Sequence, residues 1–525
     1  MKTIVYANIY TANPQMPQAT AMMVEDGYIT WIGKREEITA TDAVIIDESA
    51  RYIVPGFIEA HMHPILLAQL VGKVVCLPPA VSSIDEIIAA LRAYEPKNGW
   101  YEGWGFDEGK TVDKRMLTRA DLDAVSTEKP VVVIRSCTHL ISVNSKALEI
   151  AGITRDTANP EGGEIDRDAH GEPTGILREN ARHLVLQYMP VDSEAETVDK
   201  LLELSKTLAS YGVTSLTEMM ATHEPFDHLT LLQKAAEKGF AQQVALYYLW
   251  QESASKTNIL AAENLCTAAQ MFVAGIKLFA DGSVSGKTAY VYEPFLQSDG
   301  TGIVTTTPTV IQQAVDVARQ KGIQLAVHAM GDRAIDLVVD SVVDNEHWLG
   351  DVPAIRIEHA TMPSEKALAL AATHQIGFVP QPIFLFSEVE SYVDNLGIEK
   401  TQQLYAVKSF LAHQIPTALS SDAPATSWAE AANPFVTMHA AVNRVSYDGV
   451  DLGQQQRITV KEAVDLYTRE AQRLTRIAQV GQLKEGYRAD YVVLADDIFT
   501  MPTEVLLHVK PLATYKDGVC IYTRE

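Results

Sequence analysis

The chain has 525 residues, with 43 Lys and Arg against 67 Asp and Glu, a formal net charge of −24. That balance argues against nucleic-acid backbones and anionic membrane surfaces. A composition 47% hydrophobic and only 21% charged excludes a disordered chain.

The amino-terminal fifty residues read as short strands at 3–10, 21–24 and 29–32, with Asp26-Gly27 as a hairpin-type turn. The carboxyl end reads the same way, with strands at 491–494, 513–515 and 519–522 around Lys516-Asp517-Gly518. Residues 1–54 and 480–525 are therefore expected to form one small β-sandwich domain. Four cysteines (Cys76, Cys137, Cys266, Cys520) form no C-x-x-C pair, which argues against a disulfide framework or thiolate zinc. The first residues carry no apolar signal region, and no apolar stretch approaches the roughly 18 residues of a membrane span. The expected location is cytoplasmic, with no membrane partner.

Between the ends, apolar strand-like runs occur at 56–60, 213–217, 243–249, 275–279, 324–327, 354–357, 377–380 and 416–419. Helical patterns separate most of them. One spans 310–321 behind Thr309, and another opens on the capping box of Thr459 and Glu462. Eight strands alternating with helices predict an α/β fold, a (β/α)8 TIM-like barrel over 55–479. Residues from about 76 to 200 interrupt the alternation, carry their own strand at 131–134, and read as an inserted subdomain over the barrel mouth.

The chemistry gathers at strand ends. In IVPGFIEAHMHP, His61 and His63 stand two residues apart after the first strand. Alternating side chains would place both on one side, where they could grip one ion. His328 ends the fifth strand, His359 the sixth and Asp422 the eighth. Catalytic residues of TIM barrels sit at these carboxyl ends. Four imidazoles and a carboxylate make an N/O site suited to zinc, with iron, manganese or nickel as alternatives. Lys277, in the apolar fourth strand, has two readings: a buried lysine paired with an acid such as Asp281, or a lysine carboxylated by CO2 into a bridging metal ligand.

This order of ligands, with the flanks PGFIEAHMH, NSKALEIAGI, GGEIDRDAHGEPTGILRE, KLFADGS, HAMGDRAID, RIEHA and GQLKEGYRADYVVL, resembles the amidohydrolase superfamily. Within it, the similarity is to family 3, the branch that includes N-substituted formamide deformylase, and runs nearly end to end. The resemblance implies a metal-dependent hydrolase barrel with one or two divalent ions, zinc first. His61 and His63 would hold the more buried ion, His328 and His359 the more exposed one, and carboxylated Lys277 would bridge them. It further implies attack by a metal-bound hydroxide on a non-peptide C–N bond of a small molecule, in an amide, formamide or cyclic amide. Asp422 would be a metal ligand that shuttles the proton. A lactonase, esterase or deaminase would use the same groups, and a non-catalytic regulatory relative is a further alternative. Trp104, Asp107, His139, Arg178 and Glu218 are candidates for substrate contact. Glu218 also reads as a residue that orients a ligand histidine. Glu358 is expected on the opposite face from His359, and His223 and His228 as unrelated histidines. A small-molecule substrate and a homodimer are the expected partners, with no nucleic acid.

Overall fold

A computed structural model describes residues 2–39, 42–96, 99–136, 140–255 and 260–524. They fall into two compact units. One comprises Met1–Ala68, Val198–Ala423 and Ala432–Glu525; the other comprises Gln69–Thr197 and Pro424–Ala431.

The first unit contains a curled parallel sheet. Its strands are Phe57–Glu59, Val213–Ala221, Gln243–Leu249, Met271–Phe279, Gln324–Ala329, Ile355–His359 and Gly377–Val379, each paired in parallel with the next. Nearly every residue in them is buried, as expected where helices cover a parallel sheet. The expected eighth strand is reduced to one parallel bridge, Phe378 to Thr417. Its backbone is nonetheless held on both sides. The Phe378 amide donates to Pro416 O at 2.8 Å, and the Asp422 amide donates to His61 O at 2.8 Å. The His63 amide completes this join on Ala423 O at 2.9 Å.

Residues two apart share a face, so Ile58 and Ala60, Ala245 and Tyr247, and Phe272 and Ala274 meet in one buried cluster. Ala471, Leu474 and Ile477, in and just beyond the helix Arg469–Thr475, pack into the same cluster. The helix expected behind Thr309 starts two residues earlier. Thr307 caps Pro308–Lys321 by accepting from the Val310 amide at 3.3 Å, and Pro308 occupies the first turn, where no amide hydrogen is needed. The capping box of Thr459 and Glu462 is present at the start of Val460–Tyr467.

Both termini enter one seven-stranded sheet. Its centre is Val44–Pro55, which pairs in parallel with Lys2–Tyr10 and antiparallel with Tyr491–Leu494. This strand is illegible in the sequence because its middle, DESARY, is polar and largely exposed. A further buried cluster covers the carboxyl ends of the parallel strands. It joins Val284, Met330, Met362, Phe384, Tyr392 and Tyr405 from the loops after strands four to seven.

The second unit is built on a six-stranded sheet that contains Val131–Arg135, Tyr101–Phe106 and Pro173–Glu179, with two apolar clusters, one holding Val132 and the other Val131 and Val133. Among the described residues, no helix is long and apolar enough to cross a membrane.

Candidate metal centre

At the carboxyl ends of the parallel strands, His61, His63, Lys277, His359 and Asp422 are all buried, and His328 is slightly more open. Asp422 is their meeting point. Its Oδ1 lies 3.3 Å from His61 Nε2 and 3.0 Å from His63 Nε2, and its Oδ2 lies 4.0 Å from His359 Nδ1. The rings of His61 and His359 are 5.0 Å apart, and those of His328 and His359 are 4.4 Å apart. The convergence of His61 and His63 does not come from strand alternation, since the first strand ends at Glu59. It comes from the bend that the Asp422 and His63 amide bonds pin in place.

Partners on the far side of each ring assign the tautomers. His61 Nδ1 sits 2.6 Å from Glu358 Oε2. Burial opposes ionisation of Glu358, but Arg356 and His61 outweigh it and hold the carboxyl well below the usual carboxylate range. Arg356 grips both carboxylate oxygens, at 2.5 and 2.8 Å, and donates to Ala60 O at 2.6 Å. An ionised carboxylate only accepts, so His61 carries its hydrogen on Nδ1 and presents a lone pair at Nε2. Gln381 acts similarly on His359. Its amide nitrogen donates to Val379 O and Ser420 Oγ, both at 2.8 Å, which turns Oε1 toward His359 Nδ1 at 2.7 Å. His328 Nε2 faces Gly282 O at 2.9 Å, leaving Nδ1 as its lone pair.

The result is a place for a cation: His61 Nε2 and Asp422 Oδ1 face each other at 3.3 Å, and the buried Oδ1 also lies 3.0 Å from His63 Nε2. Ligand atoms of His61, His359 and Asp422 lie within 4.8 Å of one another. This buried N/O set fits a divalent ion of zinc type. Without one, a proton sits on His63: burial lowers that imidazole, but the carboxylates of Asp422 and Glu218 outweigh it and raise it to about 9.

An amidohydrolase family model matches residues 45–522. The chain belongs to the amidohydrolase family. It is 30% identical to amidohydrolase YtcJ of Bacillus subtilis (strain 168), over 98% of each chain. It is 27% identical to N-substituted formamide deformylase of Arthrobacter pascens, over 99% of this chain and 98% of that one. An uncharacterised metal-dependent hydrolase of Pyrococcus horikoshii OT3 shares the fold, with a TM-score of 0.76 and 24% identity over 96% and 99% of the two chains.

In this amidohydrolase, Lys277 is not paired with Asp281. Burial pushes the ammonium down to about 8, against the pull of Glu358 and Asp422. Its Nζ lies over the Phe279 ring, 5.2 Å from the centroid. Asp281 instead accepts the amides of Tyr290, Met330 and Gly331 at 2.8, 3.0 and 2.8 Å, tying the loop after strand four to that after strand five. Asp281→Ala is expected to strand two buried amides and a half-buried one, and to cost at least about 1–3 kcal/mol. Denaturant unfolding checks this, and unchanged stability would refute the pinning role.

Two expectations are corrected. Glu358 does not face away from the centre. It shares a face with Arg356, two residues earlier, and the positive φ of His359 (+71°) and Ala360 (+41°) breaks the alternation, so consecutive Glu358 and His359 both reach inward. His228 is not unrelated to the site, whereas His223 pairs with the helix-cap residue Asp227. His228 Nδ1 lies 3.9 Å from Glu218 Oε2, and His223 Nδ1 lies 2.9 Å from Asp227 Oδ1. Glu218 is buried, accepts the amides of Ile65 and Met220, and places Oε1 3.7 Å from His63 Nδ1. It stands behind a histidine, where an orienting group belongs.

The remaining candidates belong to the second unit. Trp104 is buried in its strand. Asp107 caps a short turn by accepting the Gly109 amide at 2.9 Å. Arg178 makes two 2.7 Å bonds to Asp166, which takes up its guanidinium. His139 lies outside the described residues. The residues missed in the sequence are Arg356, Glu358 and Gln381. The pattern R-x-E-H was readable as a buried charge pair beside a ligand, but nothing local marks Gln381.

Proposed function

We propose that this chain is a metal-dependent hydrolase of a non-peptide C–N bond in a small amide, formamide or cyclic amide. The observation that carries this is the convergence of buried ligand atoms of His61, His359 and Asp422, all within 4.8 Å of one another. The bond class is supported by membership of the amidohydrolase family and by likeness to a formamide deformylase along almost the whole chain. We read the curled sheet as a (β/α)8 barrel completed by residues 416–423, because that segment is hydrogen-bonded to the last strand and to His61 and His63 just beyond the first.

His61, His63, Lys277, His328, His359 and Asp422 would hold one or two ions, zinc by donor type. A bound divalent ion supplies Lewis acidity at the substrate carbonyl and lowers the pKa of water to about 7. Lys277 enters as its carbamate: the neutral amine adds to CO2, a C–N bond forms, and one proton leaves to solvent. Its burial with no ion pair among the described residues supports this reading. Asp422 takes the proton of the attacking water and delivers it to the departing nitrogen, which leaves readily only when protonated. Glu358, Gln381 and Glu218 keep the imidazoles oriented.

The experiment is elemental analysis of protein purified without chelators, with His61→Ala and Lys277→Ala, followed by a panel of amides, formamides, lactones and esters. About two ions per chain are expected, falling sharply in both variants, with turnover confined to C–N substrates. Absence of metal after reconstitution overturns the reading, and turnover of esters alone overturns the bond class.

A further inference from the structure

Each ligand histidine is backed by a group that sets how strongly it donates, and the backing is not the same across the centre. Behind His61 stands the carboxylate of Glu358, 2.6 Å from Nδ1. Behind His359 stands the neutral amide of Gln381, 2.7 Å from Nδ1. The two hydrogen bonds match in length and in the nitrogen they use, so charge is what differs. Both partners are locked. Arg356 holds Glu358 by two bonds and is itself anchored on Ala60 O and Leu474 O, while Gln381 is held by Val379 O and Ser420 Oγ.

The neighbours deepen the contrast. His63, the other histidine of the first pair, has Glu218 Oε1 3.7 Å from its Nδ1. His328, the other histidine of the second pair, gives its hydrogen bond to the neutral carbonyl of Gly282 at 2.9 Å. Asp281 Oδ1 is 3.4 Å from His328 Nε2, but the Asp281 carboxylate is engaged by the amides of Tyr290, Met330 and Gly331. A carboxylate behind an imidazole raises its basicity and tightens the metal it binds, and loss of such a partner costs about 10–100-fold in affinity.

We propose that the two metal positions are unequal by construction: the ion held by His61 binds more tightly than the ion held by His359, because Glu358 is charged and Gln381 is not. This rests on the metal-centre reading above taken with two ions, one at the His61 and His63 pair that Asp422 faces at 3.3 and 3.0 Å, the other at the His328 and His359 pair, whose rings are 4.4 Å apart. At limiting metal the enzyme fills the His61 position first, and the His359 position is the one that exchanges.

The test is a titration of chelator-stripped, full-length protein with zinc against a chromophoric competitor. It is run on wild type, Glu358→Gln and Gln381→Leu, with circular dichroism to confirm folding. Two steps are expected, separated by about tenfold or more. Glu358→Gln should weaken the tighter step by about 10–100-fold and leave the weaker one unchanged. Gln381→Leu should weaken the looser step alone. If Glu358→Gln fails to fold, Gln381→Leu decides by which step it moves. Two equal ions, or a Glu358→Gln variant weakened alike at both steps, overturn the inference while leaving the hydrolase reading intact. If only one ion binds, weakening by Glu358→Gln but not by Gln381→Leu upholds the inference, and the reverse overturns it. No zinc binding at all removes both readings.

Discussion

Asp422→Asn is expected to lower turnover by about 10²–10⁴-fold, the usual contribution of a positioned proton-transfer group, while metal content stays close to that of the parent. The reason is geometric. Among the described residues, Asp422 is the carboxylate that lies against both His61 and His63, at 3.3 and 3.0 Å. Asparagine preserves the shape and one oxygen but accepts no proton. Steady-state rates on the best amide substrate, with zinc analysis of the same preparation, decide the matter. A variant that keeps its metal and its full rate would take Asp422 out of the proton-transfer role.

Arg356→Met is expected to cost about 3–5 kcal/mol of stability, because it leaves Glu358 charged and uncompensated in a fully buried place. The loss should extend to metal binding, since Arg356 also holds Ala60 O, the carbonyl just before His61, at 2.6 Å. Adding Glu358→Gln in the same chain should recover most of the stability, because a neutral amide needs no counterion. It should not recover the tight metal step, which depends on a charged partner behind His61. Denaturant unfolding of the metal-free proteins measures the first effect and zinc titration the second. A single variant within about 1 kcal/mol of wild type would mean that the pair is not what holds this layer together.

Much of this centre was legible in the linear chain. His61, His63, Lys277, His328, His359 and Asp422 each stand at or near the carboxyl end of an apolar run, and the structure brings them together at one end of the parallel sheet. Seven of the eight expected strands are present because their apolar, β-branched character is local and needs no partner to be recognised. Val44–Pro55 escaped because a strand with a polar, exposed middle carries no such signal; it is a strand only because both termini pair with it. The expected cap at Thr309 slipped to Thr307 for a related reason, since Pro308 could be read as a breaker or as the first helical residue.

What the sequence determined by itself was therefore the candidate donors, the alternation that carries them and the family the chain belongs to. What only the tertiary structure decided was which nitrogen each histidine presents and what stands behind it. Glu358 reaches His61 across 297 residues, and Gln381 reaches His359 because its own amide is turned by Val379 and Ser420. Left-handed backbone at His359 and Asp422 redirects side chains that strand alternation would aim elsewhere. A pattern along the chain records residue types and their spacing. The direction of a lone pair depends on hydrogen bonds between distant segments, and these exist only once the sheet has brought the segments together.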